Sequence, residues 1–180
     1  MKSNYEIRAQ RFIEKIAPIV PKILNSSTIM RMREIVAQFN DENHRKVVVS
    51  KGLTRIALIS SDYVIKIDYH RDVIFGDCES ELHIYEIAKA DGYDYLFAKI
   101  TRYTYNGINY YIMPRINGIN PDRYEEAWEY MDDNEREWCY EHNLIDLHSG
   151  NYGWHNKHIV IIDYAATDCA TPSDDDSSDF

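Results

Sequence analysis

The chain has 180 residues, 44% of them hydrophobic and 15 of them tyrosine, enough for one globular domain or one domain of two small lobes. Its net charge of −10 and the lack of a local basic patch argue against a nucleic-acid-binding surface. No apolar run reaches the ~18 residues of a membrane span, so no membrane partner is expected. The polar start MKSNYEIRAQ lacks a secretory core, and Cys78, Cys139 and Cys169 are too dispersed for a disulfide framework or a zinc pair. Both features point to a reducing cytoplasm.

In chain order, Tyr5 to Val20 carries Ile7, Ile13, Ile16 and Ile19 at roughly helical spacing, closed by Pro18 and Pro21. Ser26-Ser27-Thr28 then offers an N-cap for a second helix with Ile29, Met32, Ile35, Val36 and Phe39 as its apolar stripe. From about Lys46 the period changes to two. KVVVS, TRIALIS and YVIKIDY read as three strands of an antiparallel meander. Asp77 opens a helix to about Ala90, with Leu82, Tyr85 and Ala88 on one face. LFAKITRYT and INYYIMP follow as two strands joined across Asn106-Gly107, a strong hairpin signal. Pro121 starts a helical region to about Glu141, with Trp128, Met131, Trp138 and Cys139 as candidate core. A loop, a short strand ending near His155, a turn at Asn156-Lys157 and the strand HIVII complete the order. The fold class is α+β: a five-stranded antiparallel sheet crossed by one helix. The last ten residues, TPSDDDSSDF, hold four aspartates and no base, and read as a solvated tail or a docking segment for a basic partner.

Alternation in YVIKIDY sets Val64, Lys66 and Asp68 opposite Tyr63, Ile65 and Ile67. A lysine within an apolar strand needs an anion or an exit to solvent. Glu79, Glu81 and Glu86 on the next helix are the candidate partners. Further on, Asp146 precedes Asn151 by five residues, and Asp163 ends an apolar strand. Phosphoryl transfer needs a carboxylate near the attacking hydroxyl and hard oxygen ligands for Mg²⁺. Asp146 suits the first task, Asn151 and Asp163 the second.

On these residues the chain resembles the protein-kinase-like superfamily. Asp146-Leu-His-Ser-Gly-Asn151 is similar to the catalytic loop D-L-x-x-x-N, and Asp163-Tyr-Ala165 to the metal-binding D-F-G. Val64-Ile-Lys66 resembles the strand-lysine motif, and Tyr111 to Gly118 the hinge between lobes. The nearest likeness is to small bacteriophage kinases expressed early in infection, which phosphorylate host proteins on serine and threonine. The resemblance implies ATP and Mg²⁺ as cofactors and a host protein as partner. It implies Asp146 as catalytic base, Lys66 braced by Glu81 on the phosphates, and His148 steadying the transferring group. Met113 would be the gatekeeper, with the backbone around Arg115 facing adenine, Gly52 in the phosphate loop, and Asn151 and Asp163 holding the metal. The organisation implied is a helical extension (1–45), an N-lobe (46–118), a minimal C-lobe (119–170) and the acidic tail (171–180).

The sequence departs from that pattern in three places. Ser50 to Arg55 carries one glycine, so Lys51 or Arg55 would have to supply charge to phosphate. Leu144-Ile145 replaces the usual His-Arg, so any activity is expected to be constitutive. The 17 residues after Asp163 leave no room for an activation segment. Acceptor recognition is therefore expected from the N-terminal helices, the tail or a second copy in a homodimer. A catalytically inactive relative that docks on a host enzyme is the alternative. Small-molecule phosphorylation is disfavoured because its acceptor pocket would come from helices after the metal segment, and a metal site of His148, His155, His158 and Asp146, a Ser149 hydrolase and a cysteine nucleophile lack a supporting motif or activating neighbour.

Overall fold

The computed structural model describes residues 2–69, 77–116, 127–144, 147, 150–155 and 158–164. The N-terminus forms α1 (Asn4–Ile16), α2 (Val20–Leu24) and α3 (Ile29–Asn43). Ser3 caps α1 in a reciprocal box with Glu6, and Thr28 caps α3 by accepting from the Arg31 N–H, satisfying donors that have no partner within the helix. Pro21 sits in the first turn of α2, where its missing N–H costs nothing.

Five strands follow: β1 (Val48–Lys51), β2 (Arg55–Ile59), β3 (Tyr63–Asp68), β4 (Thr101–Tyr105) and β5 (Ile108–Pro114). They form one antiparallel sheet in the order β1-β2-β3-β5-β4. Asn106 and Gly107 both take positive φ (51° and 73°), the backbone that lets a two-residue turn match the twist of the β4–β5 hairpin.

Each face of the sheet has its own core. Ile56, Leu58, Ile65, Ile67, Ile108, Tyr110 and Ile112 alternate onto one face and bury against α1, α2 and α3 through Phe12, Ile13, Ile16, Met32 and Val36. The N-terminal helices therefore act as packing, closing a face that would otherwise expose a broad apolar patch. Tyr111 and Met113 alternate onto the other face, which α4 (Asp77–Asp91) and the C-terminal elements cover. Those elements are a 3₁₀ turn (Ala127–Tyr130), α5 (Asp133–Glu141) and the hairpin of β6 (Tyr152–His155) and β7 (His158–Ile161).

Three expectations change. The run 96–104 is not one strand: Asp94–Leu96 is a 3₁₀ turn, Phe97 bridges in parallel to Ile161, and β4 starts only at Thr101. The Ala98 N–H donates to the Ile161 carbonyl (2.8 Å), so β7 draws this backbone out of the main sheet. The helical region after Pro121 is broken within its described part, because Asp132 caps a new helix with Glu135. Ile7, assigned to the apolar face of α1, is exposed, and Ala9 and Phe12 are buried instead.

Phe12 is fully buried between Phe39 and Tyr63. We expect Phe12→Ala to cost about 3–5 kcal/mol, read as a lower urea midpoint at unchanged slope.

Candidate functional site

The polar residues on the inner face of the sheet nearly all find partners on α4. The register sets Lys66 between Ala57 of β2 and Tyr111 of β5. Its Nζ donates to both oxygens of Glu81 (2.7 and 2.9 Å) and to the Ile162 carbonyl (2.9 Å). Glu81 is completely buried. The other two candidate partners are placed elsewhere: Glu79 accepts from Tyr111 and Arg102, and Glu86 lies exposed. Asp68, at the end of β3, accepts from the Cys78 N–H in the first turn of α4, and Thr54 bonds Asp77. Together these contacts set both the height and the rotation of α4 on the sheet.

Asp163 completes the cluster. Its Oδ1 lies 3.8 Å from Lys66 Nζ and in direct contact with Arg55 Nη2, which also lies 3.3 Å from Glu81 Oε1. The Tyr164 N–H donates to Glu81 (3.2 Å), and its hydroxyl to the Ala98 carbonyl (2.9 Å). The Asn151 carbonyl accepts from the N–H groups of Ile162 and Asp163 (2.7 and 3.2 Å), which joins the end of the 142–151 stretch to the Asp163 segment. Two cations and two carboxylates thus share one site.

Burial opposes charge on both acids, with different results. It raises Glu81 above the usual carboxylate range, and Lys66 and Arg55 offset this only in part. For Asp163 the same two cations outweigh burial and hold the carboxyl below its ordinary value. Glu81 and Asp163 raise Arg55 despite its own burial, so the guanidinium stays charged.

The sequence-assigned residues sort as follows. Lys66, Glu81 and Asp163 come together, with Asn151 tied to them through its backbone carbonyl, whereas Asp146 and His148 lie outside the described residues. Met113 is buried beside Val64 on the inner face. The Arg115 N–H donates to the Asp62 carbonyl and its side chain to the Ser60 carbonyl, so it braces the β2–β3 turn. The Gly52 N–H closes the β1–β2 turn onto the Arg55 carbonyl (2.9 Å), where a Cβ would lie only 3.3 Å from that oxygen. Lys51 faces the N-terminal helices, with Nζ near the Ser27 carbonyl, while Arg55 faces the ion cluster. Of the two residues the sequence offered for charge at the phosphate loop, Arg55 is thus the one placed at the cluster. Its signal was available: it alternates with Ile56 and Leu58, and the meander pairs it with Asp68 on the Lys66 strand.

Other chemistries find little support among the described residues. No group of three or more His, Cys, Asp or Glu is arranged to hold a metal. Cys78 and Cys139 are buried free thiols, and burial pushes Cys139 up to about 12, far from a thiolate at neutral pH. His155 and His158 are exposed cross-strand neighbours at the β6–β7 turn. No helix among the described residues is long and apolar enough to cross a membrane. No protein-family model matches the chain, and no curated protein does.

Chemically, the cluster can hold an anion on Lys66 and Arg55 and present Asp163, its carboxylate partly open to solvent, to a hard cation. The buried Arg55 Nη1 has no hydrogen-bond partner among the described residues, an orphaned donor that fits a phosphate oxygen.

Removing one partner of the buried pair strands the other charge. Lys66→Met is expected to cost about 3–5 kcal/mol, and Lys66→Met with Glu81→Leu should be more stable than Lys66→Met alone. Simple addition of the two costs in urea unfolding would refute the pairing. Because Asp163 titrates below its unfolded value, its contribution is complete above about pH 4 and is lost as pH falls through the lowered value. The stability advantage of wild type over Asp163→Asn should accordingly shrink between pH 6 and pH 3.

Proposed function

We propose that this protein is a kinase-like phosphotransferase that uses Mg-ATP to phosphorylate serine or threonine hydroxyls of a protein. The observation that carries the proposal is the buried Lys66–Glu81 pair, joined to Asp163 at 3.8 Å. A strand lysine held by a helix glutamate, next to a metal-binding aspartate, is the apparatus that positions nucleotide phosphates in kinase folds. The five-stranded antiparallel sheet with one helix against its inner face is compatible with that reading.

In this assignment Lys66 binds the α and β phosphates, and Glu81 fixes where its Nζ points. Asn151 and Asp163 would hold Mg²⁺, whose chemistry is to neutralise charge on the phosphates. Asp146, assigned from the sequence, orients the acceptor hydroxyl and takes its proton. The hydroxyl oxygen bonds to the γ-phosphorus as the bond to the β–γ bridging oxygen breaks, and ADP leaves. Phage origin and a host-protein acceptor rest on the family resemblance.

A second reading is a kinase-like binding protein without turnover that docks on a host enzyme. One observation favours it: Arg55 already occupies Asp163.

The two readings separate with labelled ATP, Mg²⁺ and a host lysate. Under the transfer reading wild type labels protein, while Asp146→Asn and Lys66→Ala fall by at least about 100-fold. Transfer surviving in Asp146→Asn overturns the assignment of the base. Absence of both transfer and an ATP-dependent rise in Tm leaves the binding protein.

A further inference from the structure

Arg55 is the group the proposed chemistry does not yet use. It reaches the cluster from the first residue of β2, next to a turn with a single glycine, and its side chain is only 13% exposed. Nη2 is committed to Asp163 and Glu81, while Nη1 is buried with no partner among the described residues. A buried, unpaired guanidinium donor is costly. The carboxylate it grips is the one assigned to the metal. The charge balance is also closed: Lys66 and Arg55 against Glu81 and Asp163.

A divalent cation arriving at Asp163 would have to share its carboxylate with the Arg55 guanidinium, and two cations on one carboxylate oxygen repel strongly. Phosphates arriving at Lys66 would instead find in Nη1 a donor suited to a charge-assisted bond.

Resting on the phosphotransferase reading, we infer that Arg55 is a nucleotide-phosphate ligand that waits on Asp163. In the free protein its guanidinium takes the seat of the divalent cation. When metal and nucleotide bind together, it leaves Asp163 for the phosphates and so does the work of the absent loop glycines. Metal alone then binds poorly, and metal with nucleotide binds cooperatively, because each removes an obstacle to the other. The same exchange accounts for a complete ion cluster that looks self-quenched in the free state.

The test uses Mn²⁺ as the metal probe and ADP as the nucleotide probe, on full-length wild type and Arg55→Met. Metal binding is followed by Mn²⁺ paramagnetic resonance, and nucleotide binding by calorimetry. Arg55→Met should bind Mn²⁺ alone about tenfold more tightly and metal-free ADP about tenfold more weakly, with the wild-type cooperativity lost. Unchanged or weaker Mn²⁺ binding, or unchanged ADP binding, overturns the inference. Wild type that binds Mn-ADP while Arg55→Met matches it in every arm removes the exchange and leaves the phosphotransferase reading standing. No nucleotide binding by wild type, with or without metal, removes both. Should Arg55→Met not fold, nitrogen NMR of the wild-type guanidinium decides, with the Arg55 signal assigned through Arg55→Lys. That signal should move on saturation with Mg-ADP, and a signal unmoved at saturation overturns the exchange.

Discussion

The Lys66–Glu81 pair is the constraint around which the inner half of the molecule is arranged. Glu81 has no access to water, so its charge must be met entirely by protein donors. Lys66 donates to both of its oxygens and the Tyr164 N–H to one, while the Arg55 guanidinium stands in ion-pair contact at 3.3 Å. These partners come from β2, β3 and the segment after β7, which are distant in sequence. Helix α4 can therefore sit against the sheet in one register only, and the chain after β7 must return to the same point. Low amphipathic contrast along α4 follows from this, since its buried face includes Ser80 and Glu81 beside Cys78, Ile84, Tyr85 and Ala88.

Such a cluster is an expensive way to hold a helix on a sheet. Well-packed apolar residues of similar volume are commonly as stable as a buried ion pair or more so. The outer face of the same sheet shows the apolar alternative, built from isoleucine, leucine, valine and tyrosine. Four ionisable groups gathered on the other face, with one carboxyl raised and the other lowered, are the pattern expected of a binding or catalytic site. The two faces thus divide the labour: the N-terminal helices and the outer face supply stability, and the inner face carries the charges.

Much of the fold is legible in local chemistry. The period-two runs around Ile56, Ile65 and Ile112, the cap at Thr28 and the Asn106-Gly107 turn are dictated by neighbouring residues, and the observed elements agree with them. Where the strand reading of residues 96–104 breaks down, the cause is not local. Residues 96–100 have the composition of a strand, yet Phe97 and Ala98 bond to β7, some sixty residues away, and no local pattern carries that competition.

By itself the sequence determined the α+β class and the faces of the strands, and it singled out Lys66 with three candidate glutamates and proposed Asn151 and Asp163 beside them, because alternation and motif spacing are properties of the linear chain. Only the tertiary structure decided that Glu81 rather than Glu79 or Glu86 meets Lys66, since that depends on how α4 is rotated against β3. It alone assigned the N-terminal helices to the outer face, and it alone brought Arg55 onto Asp163 across 108 residues. Both outcomes follow from the same physics: a buried charge or an apolar face takes whichever partner the packed chain brings within reach, and reach is not written in sequence distance.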